Sequence, residues 1–316
     1  MPLTVHTGPA LVGRDTVCIL GGGGFIGHAL QQALTAAGVP VRMVSRQHGV
    51  ARSVPGAVEW RRCDYTQQHS LIAAMAGCAG VVHLAGGASP VRAEADPATE
   101  FDEVDITRKV LVAARQCAVR TLIYVSSGGA VYGQAQTPRI NETHPLQPIS
   151  VYGRVKCAIE ALISAETCAT RNVILRVGNA FGAEQRGSNG QGLIAVLMQA
   201  ALSPQPQPVI IYGDGSTVRD YVHVDDVAQA IRAALDNDAV DGVFNVGSGV
   251  GHSVREVIAA VQALTGREID IEWRPARASD VQCSVLDSGR ITRLLNWAPA
   301  GSFAQRLAQT LSGMRD

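Results

Sequence analysis

Apolar positions in the first half of the chain follow two kinds of pattern. Short continuous apolar runs, typical of buried strands, occur at Thr16–Leu20, Val41–Val44, Val81–Leu84, Leu122–Val125 and Val173–Leu175. Between them, apolar residues recur with a helical period at Ile26–Ala36, Leu71–Ala76, Val104–Ala114 and Val151–Ala165. Strands that are apolar on both faces and alternate with helices predict an α/β fold with a doubly wound parallel sheet.

The pattern is less regular after about Asn179, where turn-forming residues become frequent. Segments rich in Gly, Ser, Gln and Pro occur at Gly182–Gly192, Ser203–Pro208 and Tyr212–Ser216. A helix is predicted at Val224–Leu235, a strand at Val243–Val246 and a further helix at Val254–Leu264. A smaller C-terminal lobe, interleaved with the last elements of the sheet, is therefore expected.

The composition argues against several classes of protein. The 316 residues carry 27 basic and 27 acidic side chains, which argues against a nucleic-acid surface or a polybasic membrane patch. No apolar run reaches the roughly 18–20 residues that span a bilayer, and Met1–Asp15 lacks a signal-peptide pattern, so an N-terminal extension is expected. Seven scattered cysteines without a C-x-x-C motif favour reduced thiols in a cytoplasmic protein, and no metal site is expected.

The first predicted strand runs directly into a glycine-rich turn. Gly21, Gly24 and Gly27 have the spacing G-x-x-G-x-x-G, and Phe25 and Ile26 lie where the following helix begins. Glycine permits positive φ angles and lets backbone N–H groups approach a diphosphate, while the helix N-terminus attracts the same anion. A turn at this position, between a strand and a helix, predicts the binding of a dinucleotide, NAD or NADP.

The end of the second strand bears on the choice between NAD and NADP. An acid there would bind the adenosine ribose, but this chain has Ser45, eighteen residues after Gly27, followed by Arg46. This pair would accommodate the 2′-phosphate of NADP, and a solvated loop arginine is the alternative. Asp64, after a third strand, could accept a hydrogen bond from the adenine amine or could belong only to a turn.

Tyr152 and Lys156 form a Y-x-x-x-K pair within a predicted helix. Residues four apart lie on one helix face, so the lysine ammonium would favour the phenolate and lower the pKa of the tyrosine. Tyr152 would then act as acid and base toward a substrate hydroxyl near neutral pH. The alternative is an amphipathic helix that shows both side chains to solvent.

The strand Leu122–Val125 ends in two serines at the edge where ligands bind in parallel sheets. Ser127 is expected to donate a hydrogen bond to the substrate oxygen that becomes a ketone. Ser126 is a competing choice, and a serine that only caps the turn is the structural alternative. The residues expected beside the cofactor at the end of a neighbouring strand are Leu84, Ala85 and Gly86.

These elements, in this order and spacing, resemble the extended short-chain dehydrogenases/reductases, and more narrowly the NAD-dependent epimerase/dehydratase family. The resemblance covers nearly the whole chain and is most specific at Gly213–Ser216 and Val218–Asp226, which read G-D-G-S and V-R-D-Y-V-H-V-D-D. Phe244–Gly249 and Leu295–Pro299 also match family patterns. The resemblance implies a Rossmann-type sheet with a smaller C-terminal substrate-binding lobe.

The resemblance implies roles for residues that match the family's motifs. Tyr152 would be the catalytic base, with Lys156 as its partner and as a contact to the cofactor ribose. Asn179 would contact the sugar nucleotide. These roles would place the reaction at the end of the sheet.

Other matching residues would hold the nucleotide. Arg219 and Arg277 would bind the diphosphate, because guanidinium groups match phosphate oxygens, and Asp280 would bind the uridine ribose. The structural alternative for Arg219 is an ion pair with Asp220 or Asp225.

Several features depart from the family pattern. Gly128 occupies the place of the family's catalytic Ser or Thr, so either Ser127 supplies the hydroxyl or the chemistry is weakened. The Thr-Asp-Glu that 4,6-dehydratases use to remove water is absent, which argues against dehydration. An Asn of the family corresponds to Asp105, and the pair Ser45-Arg46 is atypical of epimerases that retain NAD.

The leading expectation is a nucleotide-sugar 4-epimerase that acts on a UDP-hexose through a transient 4-keto intermediate with bound NAD(P). An NADPH-dependent nucleotide-4-keto-sugar reductase would use the same Tyr152/Lys156 pair, and Arg46 favours it. A non-catalytic NADP(H)-binding protein is a third hypothesis, favoured by Gly128. The expected ligand is a small-molecule nucleotide sugar, and no nucleic acid or membrane partner is expected.

The resemblance also predicts domains and assembly. The dinucleotide-binding domain would comprise residues 16–178 plus about 219–246, and the nucleotide-sugar-binding lobe about 179–218 plus 247–316, after the extension at 1–15. Helices Val104–Ala114 and Val151–Ala165 would pair across a two-fold axis as the four-helix bundle of a homodimer.

Overall fold

The computed structural model describes residues 15–46, 57–86, 99–185, 192–277 and 280–315. Counted along the chain, seven strands form its central sheet: β1 (Val17–Leu20), β2 (Val41–Ser45), β3 (Val58–Arg62), β4 (Gly80–His83), β5 (Thr121–Ser127), β6 (Arg171–Val177) and β10 (Gly242–Val246). Their order is β10-β6-β5-β4-β1-β2-β3, and all neighbours are parallel. The predicted α/β class and doubly wound parallel sheet are confirmed.

Helices cover both faces of this sheet, and the short helix α4 (Gly128–Val131) follows β5. One face packs against α1 (Phe25–Ala36), α7 (Val224–Asp236) and α9 (Gly289–Leu295). The other packs against α2 (Gln68–Met75), α3 (Thr99–Gln116) and α5 (Val151–Ser164). Successive residues of β1 enter opposite cores, because side chains alternate along a strand, which explains why the whole strand is apolar.

The C-terminal half adds a smaller lobe around a third core. Strand β9 (Val218–His223) pairs with the other three strands of a four-stranded sheet, β7 (Asn179–Phe181), β11 (Gly251–Ser253) and β13 (Cys283–Ser284). Strands β8 (Val209–Tyr212) and β12 (Ile271–Arg274) form a separate parallel pair. The lobe's helices are α6 (Leu193–Leu202), α8 (Val254–Thr265) and α10 (Phe303–Arg315). The smaller lobe is present as expected, and the proposed domain limits stay a prediction.

Predicted and observed elements differ mainly outside the large sheet. Helix α3 begins at Thr99, five residues before the predicted start, and the strand predicted to reach Leu84 ends at His83. Helix α6 and the short strands of the small lobe were not predicted, because their apolar residues show no clear period. Residues 1–14, nearly all of the predicted extension, lie outside the described residues.

The parallel strands bring their carboxyl ends to one edge. Leu20 of β1 is in register with Val44 of β2 and with His83 of β4, and His83 is in register with Tyr124 of β5. The turn after β1 therefore lies between the ends of β2 and β4. In open parallel sheets this is the edge at which ligands bind.

Within the described ranges, no helix is both long and apolar enough to cross a membrane. In the same ranges, no group of three or more His, Cys, Asp or Glu side chains is arranged to hold a metal ion. All seven cysteines carry free thiols.

Candidate active site

The glycine turn after β1 requires glycine at two positions. Gly21 has a φ of +81°, and a Cβ there would lie 2.8 Å from the backbone nitrogen of Ala85. A Cβ on Gly27 would lie 2.5 Å from the carbonyl oxygen of Gly22. Because both contacts involve backbone atoms, a larger residue could not be accommodated by a change of side-chain rotamer.

The first turn of α1 is arranged to hold an anion. Gly24 is the N-cap residue, and in the described structure no side chain caps this helix. The N–H groups of Phe25, Ile26 and Gly27 have no carbonyl of their own helix to bind. Together with the helix dipole, they fit the diphosphate of a dinucleotide. Ala85, between Leu84 and Gly86, closes the other side of the turn.

Tyr65 fixes the glycine turn to the sheet, a role that sequence reasoning missed. Its hydroxyl donates a hydrogen bond to the Val44 carbonyl at 2.8 Å and accepts one from the Gly21 N–H at 2.9 Å. Burial raises the pKa of Tyr65, so the phenol stays neutral and keeps its proton for Val44. This side chain therefore joins the turn to the end of β2.

Ser45 and Arg46 lie where β2 ends, beside the glycine turn. The Cβ of Ser45 is 3.8 Å from the position that a Cβ on Gly23 would take, and Arg46 is exposed. The carboxylate of Asp64 accepts hydrogen bonds from the backbone N–H and the hydroxyl of Thr66, at 3.0 and 2.7 Å. Asp64 thus has the turn role, while its contact with adenine stays a prediction.

Helix α5 places Tyr152 and Lys156 at the same edge of the sheet. The hydroxyl of Ser150 caps the helix by accepting a hydrogen bond from the Gly153 N–H at 3.1 Å. Gly153 lets the first turn of α5 lie against α4, because a Cβ there would be 2.5 Å from the Ala130 carbonyl oxygen. The Lys156 Nζ lies 5.3 Å from the centre of the Tyr152 ring, so the two predicted residues do meet.

Lys156 is buried among polar groups. It is 7% exposed, and its Nζ lies 3.7 Å from the Glu103 carboxylate and 5.3 Å from the centre of the Tyr124 ring. Burial by itself lowers the pKa of Lys156, but Tyr124, Tyr152 and Glu103 outweigh it, and the pKa lies above its ordinary value. Lys156 therefore remains an ammonium, which favours the phenolate form of Tyr152.

The two serines at the end of β5 have different environments. Ser126 is buried and donates a hydrogen bond at 2.5 Å to Glu160, which also accepts one at 2.6 Å from Arg176. Ser127 is half-buried and is the N-cap residue of α4, but its side chain makes no capping hydrogen bond. Ser126 thus belongs to a structural network. Of the two serines, the geometry therefore favours Ser127 as the one whose hydroxyl would donate to the substrate oxygen.

Asn179 lies beside the end of β5. Its Oδ1 is 3.2 Å from the position of a Cβ on Gly129, in the turn that follows Ser127. Strand β7, which begins with Asn179, therefore brings this amide to the same edge as the Tyr152/Lys156 pair. The predicted contact between Asn179 and a sugar nucleotide stays a prediction.

A cavity of about 400 Å³ opens in the small lobe. Its lining residues include Tyr212, Asp214, Arg274, Asp280 and Gln282. The Arg277 guanidinium lies 3.7 Å from the centre of the Tyr212 ring, at cation–π distance. The structure thus places Arg277 against Tyr212, which lines the same cavity as Asp280.

Arg219 approaches Asp280 from β9. Strand β13 pairs with β9, so Ser284 lies opposite Arg219 and the preceding chain passes beside it. Burial lowers the pKa of Arg219, and electrostatic interactions with Tyr221 and Asp280 oppose that effect. Arg219, Arg277 and Asp280 therefore lie in one region, as the resemblance implies, and their roles stay predictions.

The described residues do not contain the ion pair that was the structural alternative for Arg219. The carboxylate of Asp220 instead accepts hydrogen bonds from the N–H groups of Ser248 and Gly249, at 2.7 and 3.0 Å. Asp225 accepts a hydrogen bond at 2.8 Å from Gln309. Both acids are thus engaged by other groups.

The expectation that Asp105 takes the place of the family's asparagine is wrong. Asp105 is exposed and accepts a hydrogen bond at 2.5 Å from Lys109 on the same helix. The residue of α3 that faces Lys156 is Glu103. Residues two apart on a helix point about 200° away from each other, so only one of these acids can face the sheet.

A parallel sheet of this order, with a glycine turn after β1 and a Tyr–Lys pair at its carboxyl edge, defines an extended short-chain dehydrogenase/reductase fold. The chain belongs to the NAD dependent epimerase/dehydratase family, whose model matches residues 17–247. The predicted resemblance is therefore confirmed.

Individual relatives are similar over almost the whole chain. A UDP-glucose 4-epimerase of Mycolicibacterium smegmatis is 31% identical over 314 residues, which cover 94% of this chain and 98% of the relative. The crystal structure of a Thermus thermophilus UDP-glucose 4-epimerase in complex with NAD has a TM-score of 0.87 and 32% identity, covering 95% and 99% of the two chains. A Thermotoga maritima UDP-glucose 4-epimerase with UDP-glucose has a TM-score of 0.87 and 27% identity, covering 95% and 98%.

Proposed function

We propose that this protein is a nucleotide-sugar 4-epimerase that acts on a UDP-hexose through a transient 4-keto intermediate. The observation that carries the proposal is the position of Tyr152 beside the buried ammonium of Lys156, at the edge that also holds the glycine turn. The relatives named above, one in complex with NAD and one with UDP-glucose, support the same activity.

Tyr152 would take the proton of the sugar 4-hydroxyl, since the ammonium of Lys156 stabilises the phenolate that accepts it. Ser127 would donate a hydrogen bond to the same sugar oxygen as it becomes a ketone. NAD(P), when bound, would supply hydride acceptance from C4 and hydride return. After the 4-keto sugar turns over and presents the other face of C4, Tyr152 would give its proton back to the same oxygen.

The small lobe would hold the nucleotide half of the substrate. Arg219 and Arg277 would bind the diphosphate, Asp280 the uridine ribose, and Asn179 the sugar side. Three observations support this arrangement: Asp280 lines a cavity of about 400 Å³, Arg277 lies over the ring of Tyr212 in its wall, and an electrostatic interaction with Asp280 opposes the effect by which burial lowers the pKa of Arg219.

The cofactor is NAD or NADP, and the residues at the end of β2 favour NADP. Arg46 is exposed and follows Ser45, and its guanidinium would bind the 2′-phosphate. The same observation favours a second function, an NADPH-dependent reductase of nucleotide-4-keto-sugars. Net consumption of the cofactor distinguishes the reductase from the epimerase.

A non-catalytic NADP(H)-binding protein is the remaining hypothesis. The glycine at position 128, where the family has a catalytic hydroxyl, favours it. The intact pair of Tyr152 and Lys156 argues against it, because the two side chains meet at the edge of the sheet where ligands bind.

We also infer a homodimer in the cytoplasm. Helices α3 and α5 pack side by side on one face of the sheet and would form the four-helix bundle with a second copy. The seven free thiols favour a reducing compartment. Light scattering at micromolar concentration should give twice the mass of one chain, and a monomeric mass contradicts the dimer.

The deciding experiment uses the purified protein without added cofactor. UDP-glucose, UDP-galactose and their N-acetyl forms are offered separately, and products are followed by chromatography together with reduced-nicotinamide absorbance. Interconversion of 4-epimers without net absorbance change supports the epimerase. If no epimers interconvert, NADPH and a nucleotide-4-keto-sugar are added, and consumption of NADPH only with that sugar then replaces the epimerase with the reductase.

The matched variants are Tyr152→Phe and Tyr221→Phe. Tyr152→Phe should lower turnover by at least ~10²-fold while cofactor binding persists, since only the acid/base group is lost. Tyr221→Phe makes the same chemical change in the core of the small lobe and should retain activity. If neither variant changes turnover, Tyr152 is not the acid/base group.

A further inference from the structure

A buried carboxylate, that of Glu103, lies beside the Tyr152/Lys156 pair. Glu103 of α3 is 5% exposed, and its carboxylate is 3.7 Å from the Lys156 Nζ. A Cβ on Gly86 would lie 3.2 Å from the Glu103 carboxylate oxygens. Glu103 therefore sits between the lysine and the end of β4.

Few other charges can act on Lys156. Among the described residues, the titratable groups that face it are Tyr124 of β5, Tyr152 of α5, His83 of β4 and Glu103 of α3. Burial, followed by the charge of Lys156, lowers the pKa of His83 to about 3, so this imidazole is neutral. Burial raises the pKa of Tyr124, so its phenol is neutral as well.

We propose that Glu103 is a positioning residue that holds Lys156 in place and raises the proton affinity of Tyr152, so that this tyrosine can return the proton it takes. The inference rests on the proposed function, in which Tyr152 first accepts a proton from the sugar and then gives it back.

Charge balance explains the direction of this effect. With Glu103 ionised, Lys156 and Glu103 neutralise each other, and loss of the Tyr152 proton leaves the buried cluster negative. Without that carboxylate, loss of the same proton would neutralise a positive cluster. Because a buried net charge is unfavourable, the phenolate forms less readily when Glu103 is present.

The consequence suits a reaction that runs in both directions. Lys156 alone would stabilise the phenolate of Tyr152 and so make it a weak base. Glu103 opposes that stabilisation, and the balance between the two charges serves both proton removal and proton return.

The first test is the pH profile of kcat/KM for Glu103→Gln, which removes the charge at nearly constant size. We expect its acidic limb to move to lower pH by about 1 unit, because a nearby like charge has been removed. The control is Asp105→Asn, the same chemical change on an exposed position of the same helix, and it should leave the limb in place. Glu103→Asp retains the charge one methylene farther away and should shift the limb in the same direction by less.

The second test needs no substrate. Tyrosinate absorbance of each cofactor-loaded protein, minus that of its Tyr152→Phe counterpart, reports the titration of Tyr152 directly. We expect the titration midpoint to be highest in the wild type, lower in Glu103→Asp and lowest in Glu103→Gln. If Glu103→Gln does not fold, the comparison of wild type with Glu103→Asp still tests the order.

Identical midpoints, with or without a fall in kcat, would show a purely structural role and overturn the inference. If the midpoints shift but no UDP-hexose is turned over by the wild type, the inference about Glu103 stands and the proposed epimerase fails. The two proposals can therefore be rejected separately.

Discussion

Leu286 occupies the space into which a side chain on residue 128 would project. A Cβ on Gly128 would lie 2.6 Å from Leu286 Cδ1 and 3.2 Å from the carbonyl oxygen of Arg176. Leu286 is fully buried and is held by an isolated bridge with Ile140. The hydroxyl that the family resemblance places at position 128 therefore has neither a residue to carry it nor room beside this leucine.

Mutation can transfer the proposed catalytic hydroxyl from position 127 to position 128. Ser127→Ala should lower kcat by about 10²-fold, because a hydrogen bond to the developing charge is lost. Adding Gly128→Ser together with Leu286→Ala to that variant should restore part of the loss, since the smaller residue makes room for the new serine. Steady-state kinetics of the single and combined variants measures both effects.

Ser126→Ala serves as the control for this series. It removes the hydrogen bond to Glu160 and should affect stability more than kcat. A large loss of kcat in Ser126→Ala, with Ser127→Ala unchanged, would exchange the roles assigned to the two serines.

Arg46 should decide the preference for NADP. Arg46→Ala should weaken binding of NADP about tenfold or more and leave NAD nearly unchanged, because only NADP offers a phosphate to the guanidinium. Calorimetric titration with both dinucleotides measures the ratio. Arg62→Ala, an exposed arginine at the end of neighbouring β3, is the matched control. Equal weakening of both dinucleotides by Arg46→Ala would contradict a 2′-phosphate contact.

His83 should make the fold sensitive to acid. Its pKa is lowered by burial from 6.5 to about 3, so the folded state binds a proton less readily than the unfolded chain. The stability contributed by neutral His83 is fully present above pH 6.5 and is lost as the pH falls toward 3, by at most about 1.4 kcal/mol per pH unit.

The measurement is the free energy of unfolding in urea at several pH values. His83→Gln should lose stability less steeply than the wild type between pH 6.5 and 3. His69→Gln, which changes an exposed histidine of α2, should follow the wild type. Parallel curves for His83→Gln and the wild type would exclude His83 as the source.

The buried pair of Glu160 and Arg176 should matter more for stability than any surface pair. Both side chains are nearly inaccessible, and their closest atoms are 2.6 Å apart. Glu160→Ala should lower the free energy of unfolding by about 3–5 kcal/mol, because it leaves a buried guanidinium unpaired. Asp236→Ala, which breaks an exposed pair with Arg232, should cost less than about 1 kcal/mol. Urea unfolding at neutral pH compares the two, and similar losses would contradict the ranking.

Most of the large sheet could be predicted from sequence because its inner strands are buried on both faces and therefore read as continuous apolar runs, whereas the edge strand β3 is largely exposed. The glycine turn and the Y-x-x-x-K pair were equally accessible, since each is defined by spacing within one local segment. The strands of the small lobe were not, because β7, β11 and β13 are two or three residues long and exist only through pairing with β9. Pairing between distant short segments leaves no local pattern.

The parts of the site that escaped prediction depend on which way a side chain faces. Glu103 and Asp105 are both acids on α3, and composition alone does not rank them. A signal did exist, because Glu103 is four residues before the buried Thr107 and seven before the buried Val110, and so lies on the same helix face. Tyr65 offered no such signal, since its partners Gly21 and Val44 belong to distant parts of the chain.

The position of β10 has a consequence for synthesis of the protein. Strand β10 covers the outer edge of β6 but is made long after it, once β9 and α7 have also been translated. Until then, a nascent chain exposes the unpaired backbone of β6, and such edges template intermolecular pairing. Ribosome-bound chains that end before Gly242 should therefore aggregate or recruit chaperones more than chains that end after Val246.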